Sequence, residues 1–364
     1  GICQSDGSCL ITKQPPKNFQ WINGELLNFY LRLPSIIADL IIGFIIFVLV
    51  KTKSSGKLAA LASSIYLFNP VIIYNSSFWG QMDSLNNLFL VLAVFALYKQ
   101  KVEFVVPLFF LSLFIKLSHL PFFLILILLM YFTGKRNITK VFKSMIYGLL
   151  LILLLTLPIS NTPWSFLYSF FTTNSLGEIQ NITAFAFNFW WVLFKPAILI
   201  GNPNNLFSFS EIRLIGSPQD SISFLGISLF HIAFAMFVIA LVPILNFIIQ
   251  ARDKIFKLDT LILIFTLTAL LIFLFLPRMH ERYLYPFFPL LAIYIGLKQR
   301  FIFEYIILAL CSFINVYIVW HPVKIPILTY EIISNTNFQW LIALITIATG
   351  LVLYVKSIKT LNHA

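Results

Sequence analysis

The sequence predicts an all-α, polytopic transmembrane protein, and three observations carry that reading. Of 364 residues, 60% are hydrophobic, only 10% are charged, and the mean hydropathy is +0.93. Soluble domains carry about 25% charged residues, and a chain of this length cannot enclose so much apolar surface in water. Lipid is the missing solvent. Disorder is excluded because it needs few apolar residues and dense charge. A disulfide scaffold is excluded by a total of three cysteines.

Eleven apolar stretches are the expected spans, at about 33–50, 58–74, 84–98, 102–116, 119–133, 144–160, 223–249, 258–276, 284–297, 301–320 and 338–355. A straight helix needs about 20 residues to cross the hydrocarbon core. The shorter stretches therefore borrow polar flanks or pair as tight hairpins. The chain divides into an outer N-terminal segment, 1–32, a transmembrane domain, 33–355, with an outer interfacial segment at 161–222, and a cytoplasmic tail, 356–364.

If the stretches alternate, Lys51–Lys57, Lys99–Lys101, Lys135–Lys143, Arg252–Lys257, Lys298–Arg300 and Lys356–Lys359 all fall on one side. These short loops hold most of the 25 Lys and Arg residues, so that side is the cytoplasm of a cell membrane. The net charge of +12 thus reports topology, and no nucleic-acid partner is inferred from it. Gly1 falls outside with no apolar segment before it, so a first helix or signal segment upstream is expected, giving twelve or more spans in the full protein. Cys3 and Cys9 either pair or stay free, and Cys311 packs within a span. No phosphate-binding loop, metal-spaced Cys/His set or internal repeat is visible.

Polar residues gather on the outer side. The 161–222 segment has five charged residues but thirteen aromatics. Its stretches Trp164–Phe171 and Ala184–Ile198 read as interfacial helices, either an aromatic belt or a roof over a lipid-substrate cavity. Between two apolar stretches, Pro277–Pro286 places Arg278, His280 and Arg282 together, and a helical turn would put both arginines on one face. That cluster is either a phosphate clamp oriented by Glu281 or a loop that salt-bridges to itself. In Tyr74–Ser84, Trp79 stacks on a sugar or lies at the interface, Gln81 binds hydroxyls, and Asp83 either joins a site or caps the next helix. Lys116 and His119 share a face if helical; Lys116 either needs an anionic partner or snorkels to water. Asp39 is either functional or a buried hydrogen bonder, and Glu304 is structural.

The ordered set Arg32–Asp39, Leu67–Ser84, Phe114–Lys116, Ala186–Trp191 and Arg278–Pro286 resembles prokaryotic integral-membrane glycosyltransferases of the GT-C superfamily. The His280-Glu281-Arg282 element is similar to the His-Glu-Lys of lumenal glucosyltransferases of N-glycan assembly. The resemblance spans roughly residues 32–290. It implies transfer of a hexose, such as mannose or glucose, from a polyprenyl-phosphate donor to an acceptor hydroxyl on a glycan, lipid or protein, with inversion. It further implies that Arg278, His280, Arg282 and Lys116 bind the donor phosphate. Trp79, Gln81, Glu281, Tyr283, Asn188 and Trp190 would line the sugar or acceptor site, with no soluble cofactor and no required metal. In these relatives the catalytic aspartate usually follows the first helix in an Asp-Tyr-Pro-Pro-like string. Here Pro15-Pro16 follow Lys13-Gln14, and Asp6 and Glu25 sit in no such context. The base is therefore expected upstream of Gly1, with Asp83 assisting, or else Asp83 is the base. The alternative function is a transporter or flippase of a lipid-linked saccharide.

Overall fold

The computed structural model describes residues 24–176, 180–199, 217–321, 324–326, 328 and 335–362. Cys3, Cys9 and the Pro15-Pro16 string lie outside the described residues.

Each expected apolar stretch is helical over most of its length, but 119–133 and 144–160 share one kinked helix and 223–228 forms a hairpin rather than the start of a span. Helix α1 is Gly24–Lys51 and α2 is Gly56–Leu67, capped by the Ser55 hydroxyl. Asn69 caps α3, Pro70–Ile73, which runs into a π-helical turn, Tyr74–Trp79, at a 48° bend from α2. Helix α4 is Asp83–Tyr98, and α5 is Val105–Ile115. Helix α6, Phe123–Thr156, breaks at Asn137. Helices α7, Pro163–Leu176, and α8, Phe189–Leu199, precede α9, Leu229–Ala251, and α10, Leu258–Phe275. Helices α11, Phe287–Lys298, α12, Ile302–Val319, and α13, Thr336–Asn362, complete the described elements. Among the described residues, seven helices are long and apolar enough to cross a membrane, or eight counting the bent pair. Asp83–Tyr98, Val102–Ile115 and Phe287–Lys298 are shorter than a full crossing.

Helix α10 is the central column. Its apolar window is 89% buried, against 17% for Asn137–Thr156 at the periphery. A helix apolar on every side belongs in such a position. Beside it, Gly296 of α11 lies so close to α1 and α2 that a Cβ there would stand 2.7 Å from both Ala62 Cβ and Val50 Cγ2. Small residues at this crossing bring three backbones together.

Several boundaries differ from the sequence expectation. Helix α1 starts at Gly24 rather than near 33, so Arg32 stands on a helix that carries its polar residues through its first turns. At the other end, 356–362 continues α13 because Ser357 and Leu361 stay buried and Lys356 pairs with Glu304 at 2.7 Å. Of the interfacial segment, Trp164 is exposed on α7 as expected. Residues 184–188 are not helical: Thr183–Ala184 forms strand β1, paired in parallel with β4, Met279–His280. Between them in the chain, β2, Ser223–Phe224, and β3, Ile227–Ser228, make a short hairpin.

Candidate active site

The site assembles where four loops meet beyond the C-terminal end of α10. Gly80, with φ of +78°, ends the π-helical turn and redirects the chain, so that Asp83 enters the first turn of α4. Lys116 leaves α5 in an extended conformation. That break in the helix separates it from His119 and turns its side chain onto Asp83, where Nζ pairs with Oδ1. Asp83 Oδ2 accepts from Asn75 Nδ2 at 3.1 Å and lies 3.3 Å from Arg282 Nε as an ion pair. The Asp83 side chain therefore does not cap α4; Met82 holds the cap position, with no side-chain bond. His119 instead bonds Ser112 at 2.7 Å in a buried group with Asn86.

The 277–286 loop is held from beneath. The last carbonyls of a helix lack intrahelical partners, and two of those on α10 are satisfied by side chains. Asn188 Nδ2 donates to the Phe273 carbonyl at 3.2 Å, and Trp190 Nε1 donates to that of Phe275 at 2.8 Å. Asn188 and Trp190, expected at the sugar site, are instead fully buried fasteners, because their donors serve this helix end. Trp191 is likewise buried rather than interfacial. The β1–β4 pairing and the Arg278 N–H to Ile182 carbonyl bond, 2.9 Å, then fix the loop itself.

Arg278 and Arg282 do not share a helical face. Arg278 sits at φ of +61° beside a strand, and its Nε reaches Asp220 Oδ2 at 2.6 Å while the guanidinium lies over the Phe230 ring. Arg282 Nη1 donates to Glu281 Oε1 at 2.7 Å, and its guanidinium lies 5.1 Å over Trp79. Trp79 stacks in turn on Trp320, and Lys116 lies over Tyr283 at 4.7 Å. His280 Nδ1 is 3.7 Å from Glu281 Oε2.

Burial pushes the Lys116 ammonium below its ordinary value, with Asp83 opposing. Burial pulls Arg282 down, but Asp83 and Glu281 outweigh it and hold the guanidinium up. For Glu281, burial raises the carboxyl, yet the adjacent His280 side chain and the Arg282 charge hold it below the ordinary range. The local set is thus three cations, Lys116, Arg278 and Arg282, each paired with a carboxylate.

These cations face a cavity of about 610 Å³. Gln81, Lys116, Arg278, His280, Arg282 and Tyr283 line it together with apolar residues that include Leu117, Leu120, Phe170, Phe230, Phe234 and Leu276. The two kinds of residue touch, since the Arg278 guanidinium lies over the Phe230 ring. Asp83, Trp79 and Glu281 do not line the cavity but contact Arg282 and orient it.

Sequence reasoning missed Asp220, noted only as one charge of the outer segment; its partner lies 58 positions away. It left Asp39 open, and the structure makes it a hydrogen-bond acceptor. Asp39 Oδ1 takes the Tyr66 hydroxyl at 2.6 Å, Oδ2 takes Ser84 at 2.9 Å, and Ser84 bonds Tyr285 at 2.8 Å. It thereby ties α1 to both the Asp83 segment and the 277–286 loop. A scan of protein-family models gives no match to this chain, and a search of curated proteins gives none.

Proposed function

We propose that this protein is an integral-membrane glycosyltransferase of the GT-C type, passing a hexose from a polyprenyl-phosphate donor to an acceptor hydroxyl at the extracytoplasmic face. The observation that carries the reading is a cavity of mixed lining. Four basic side chains drawn from 116 and 278–282 line it together with Leu117, Leu120, Phe170, Phe230, Phe234 and Leu276. A phosphate esterified to a long lipid matches both kinds of surface.

In the reaction, the acceptor oxygen bonds to the anomeric carbon as the bond from that carbon to the lipid-phosphate oxygen breaks. The electron pair leaves with the phosphate, and the acceptor proton passes to a base. Cations fixed before the reaction stabilise the departing phosphate because they need no rearrangement as charge develops. Arg282 and Lys116 supply that charge, and His280 and Arg278 complete the basic part of the lining. Both Asp83 oxygens are engaged by Lys116, Asn75 and Arg282. Asp83 is therefore the positioning residue that aims the two cations, and the base is a different carboxylate.

A flippase would need polar groups along its interior for the headgroup to cross. The α10 column offers little: the hydroxyls of Thr266 and Thr268 bond back to Ile262 and Ile264. The test is release or transfer of labelled sugar from a defined polyprenyl-phosphate hexose in proteoliposomes. Turnover by wild type, reduced about a hundredfold in Arg282→Ala, supports the transferase. Absence of turnover together with movement of the intact donor across the bilayer overturns it in favour of transport.

A further inference from the structure

A second, larger cavity lies at the opposite end of the central column. Helix α10 has 18 residues, a rise of about 27 Å at about 1.5 Å per residue. Its start, Asp259, borders a cavity of about 1050 Å³, far from the Leu276 end where the candidate active site sits. The cavity is bounded by α10, the α11–α12 turn and the end of α13.

Its charge is unbalanced. Lys298 pairs with Asp259, and Lys356 pairs with Glu304. Among the described residues, Arg300 has the Thr360 hydroxyl at 3.5 Å as its hydrogen-bond partner, and neither it nor Lys359 has a carboxylate partner. Among the residues that line this concavity, four cations thus face two carboxylates, an excess of two positive charges. Gln299, the C-cap of α11, and Phe301, the N-cap of α12, stand on either side of Arg300, and both adopt left-handed conformations, at φ of 55° and 69°. Non-glycine residues keep that conformation only where the surroundings demand it, often where a side chain must be directed. Phe301, partly exposed, adds apolar surface to the same cavity.

We infer that this cavity binds a phosphate group, and that its source is the headgroup of an anionic phospholipid. The excess charge complements phosphate, arginine presents paired donors to its oxygens, and the apolar surface suits the glycerol region beneath a headgroup. Basic pockets between membrane helices recognise headgroups by this combination. The site is separate from the proposed donor site, and its failure would leave that reading untouched.

The experiment reconstitutes the protein in zwitterionic-lipid nanodiscs containing a small fraction of labelled phosphatidylglycerol and counts the label retained per protein after purification in neutral detergent. Wild type retains label. Arg300→Ala with Lys359→Ala retains less by roughly fivefold for each cation removed, and Lys359→Ala alone gives an intermediate loss. Lys53→Ala with Lys57→Ala, which removes two basic residues outside the cavity, retains label like wild type. Displacement of the label by millimolar inorganic phosphate would keep the phosphate site but move its source to a soluble anion. Equal retention in wild type and the Arg300/Lys359 variants, or equal loss in the Lys53/Lys57 variant, would overturn the site.

Discussion

Lys116 and Asp83, 33 positions apart in the chain, form a part-buried ion pair at the head of α4, and Arg282 completes it from a third segment. Three separate loops are thereby tied by one carboxylate. Removing one partner of a buried pair so that the other charge is uncompensated costs about 3 kcal/mol. Asp83→Asn, which strands Lys116, should lower stability by up to that amount, and Lys116→Met by less, because Arg282 and Asn75 still engage Asp83, in thermal unfolding of the detergent-solubilised protein. The double variant should be less destabilised than the sum of the two; strict additivity would show that the pair contributes nothing.

Glu281 gives the acid limb a sign. Its folded carboxyl titrates below the ordinary value of 4.5, so in that window the unfolded chain binds more protons than the folded one. The stabilisation is therefore fully present above about pH 4.5 and is lost as pH falls through the folded value. Wild type should lose thermal stability more steeply than Glu281→Gln below about pH 4.5, measured by midpoints between neutral and acid pH. Parallel curves would contradict this.

Trp190→Phe keeps the ring and deletes the donor to the Phe275 carbonyl. Leaving that buried carbonyl unsatisfied costs about 1–3 kcal/mol. The variant should also bind donor more weakly, because the 277–286 loop rests on this helix end. An unchanged melting midpoint would remove Trp190 from the fastening role.

Gly296→Ala should destabilise by about 1–3 kcal/mol through overpacking, because the new Cβ stands 2.7 Å from Ala62 Cβ. Gly56→Ala, whose Cβ would meet nothing within 4 Å, is the control and should change stability by less than about 1 kcal/mol.

Much of the fold was legible because long apolar runs become helices, and each of the eleven is helical over most of its length, apart from the hairpin at 223–228. The basic cluster at 278–282 and the need of Lys116 for an anion were also readable, since a buried cation is costly alone. The identity of that anion was not. Asp83 and Lys116 are brought together only by the π-helical turn and the extended Lys116 backbone, which no local pattern announces. The same holds for Arg278 and Asp220, joined across the outer segment. Trp190 and Trp164 look alike as residue types; only the bare carbonyl of Phe275 distinguishes a buried fastener from an exposed ring. The early start of α1 was hidden because Asn28 and Arg32 lower hydropathy without breaking a helix.

Direct binding of a lipid phosphate to the cavity between Lys116 and the 277–286 loop tests the central claim. Tritiated polyprenyl phosphate is equilibrated with wild type, Arg282→Ala, Lys116→Ala and, as a control outside both cavities, Lys53→Ala. Saturable binding by wild type and Lys53→Ala, weakened at least tenfold in both Arg282→Ala and Lys116→Ala while their helical circular dichroism persists, is the expected result. Equal binding by all four proteins, or none by any of them, would contradict the assignment of Lys116 and Arg282 to a donor phosphate.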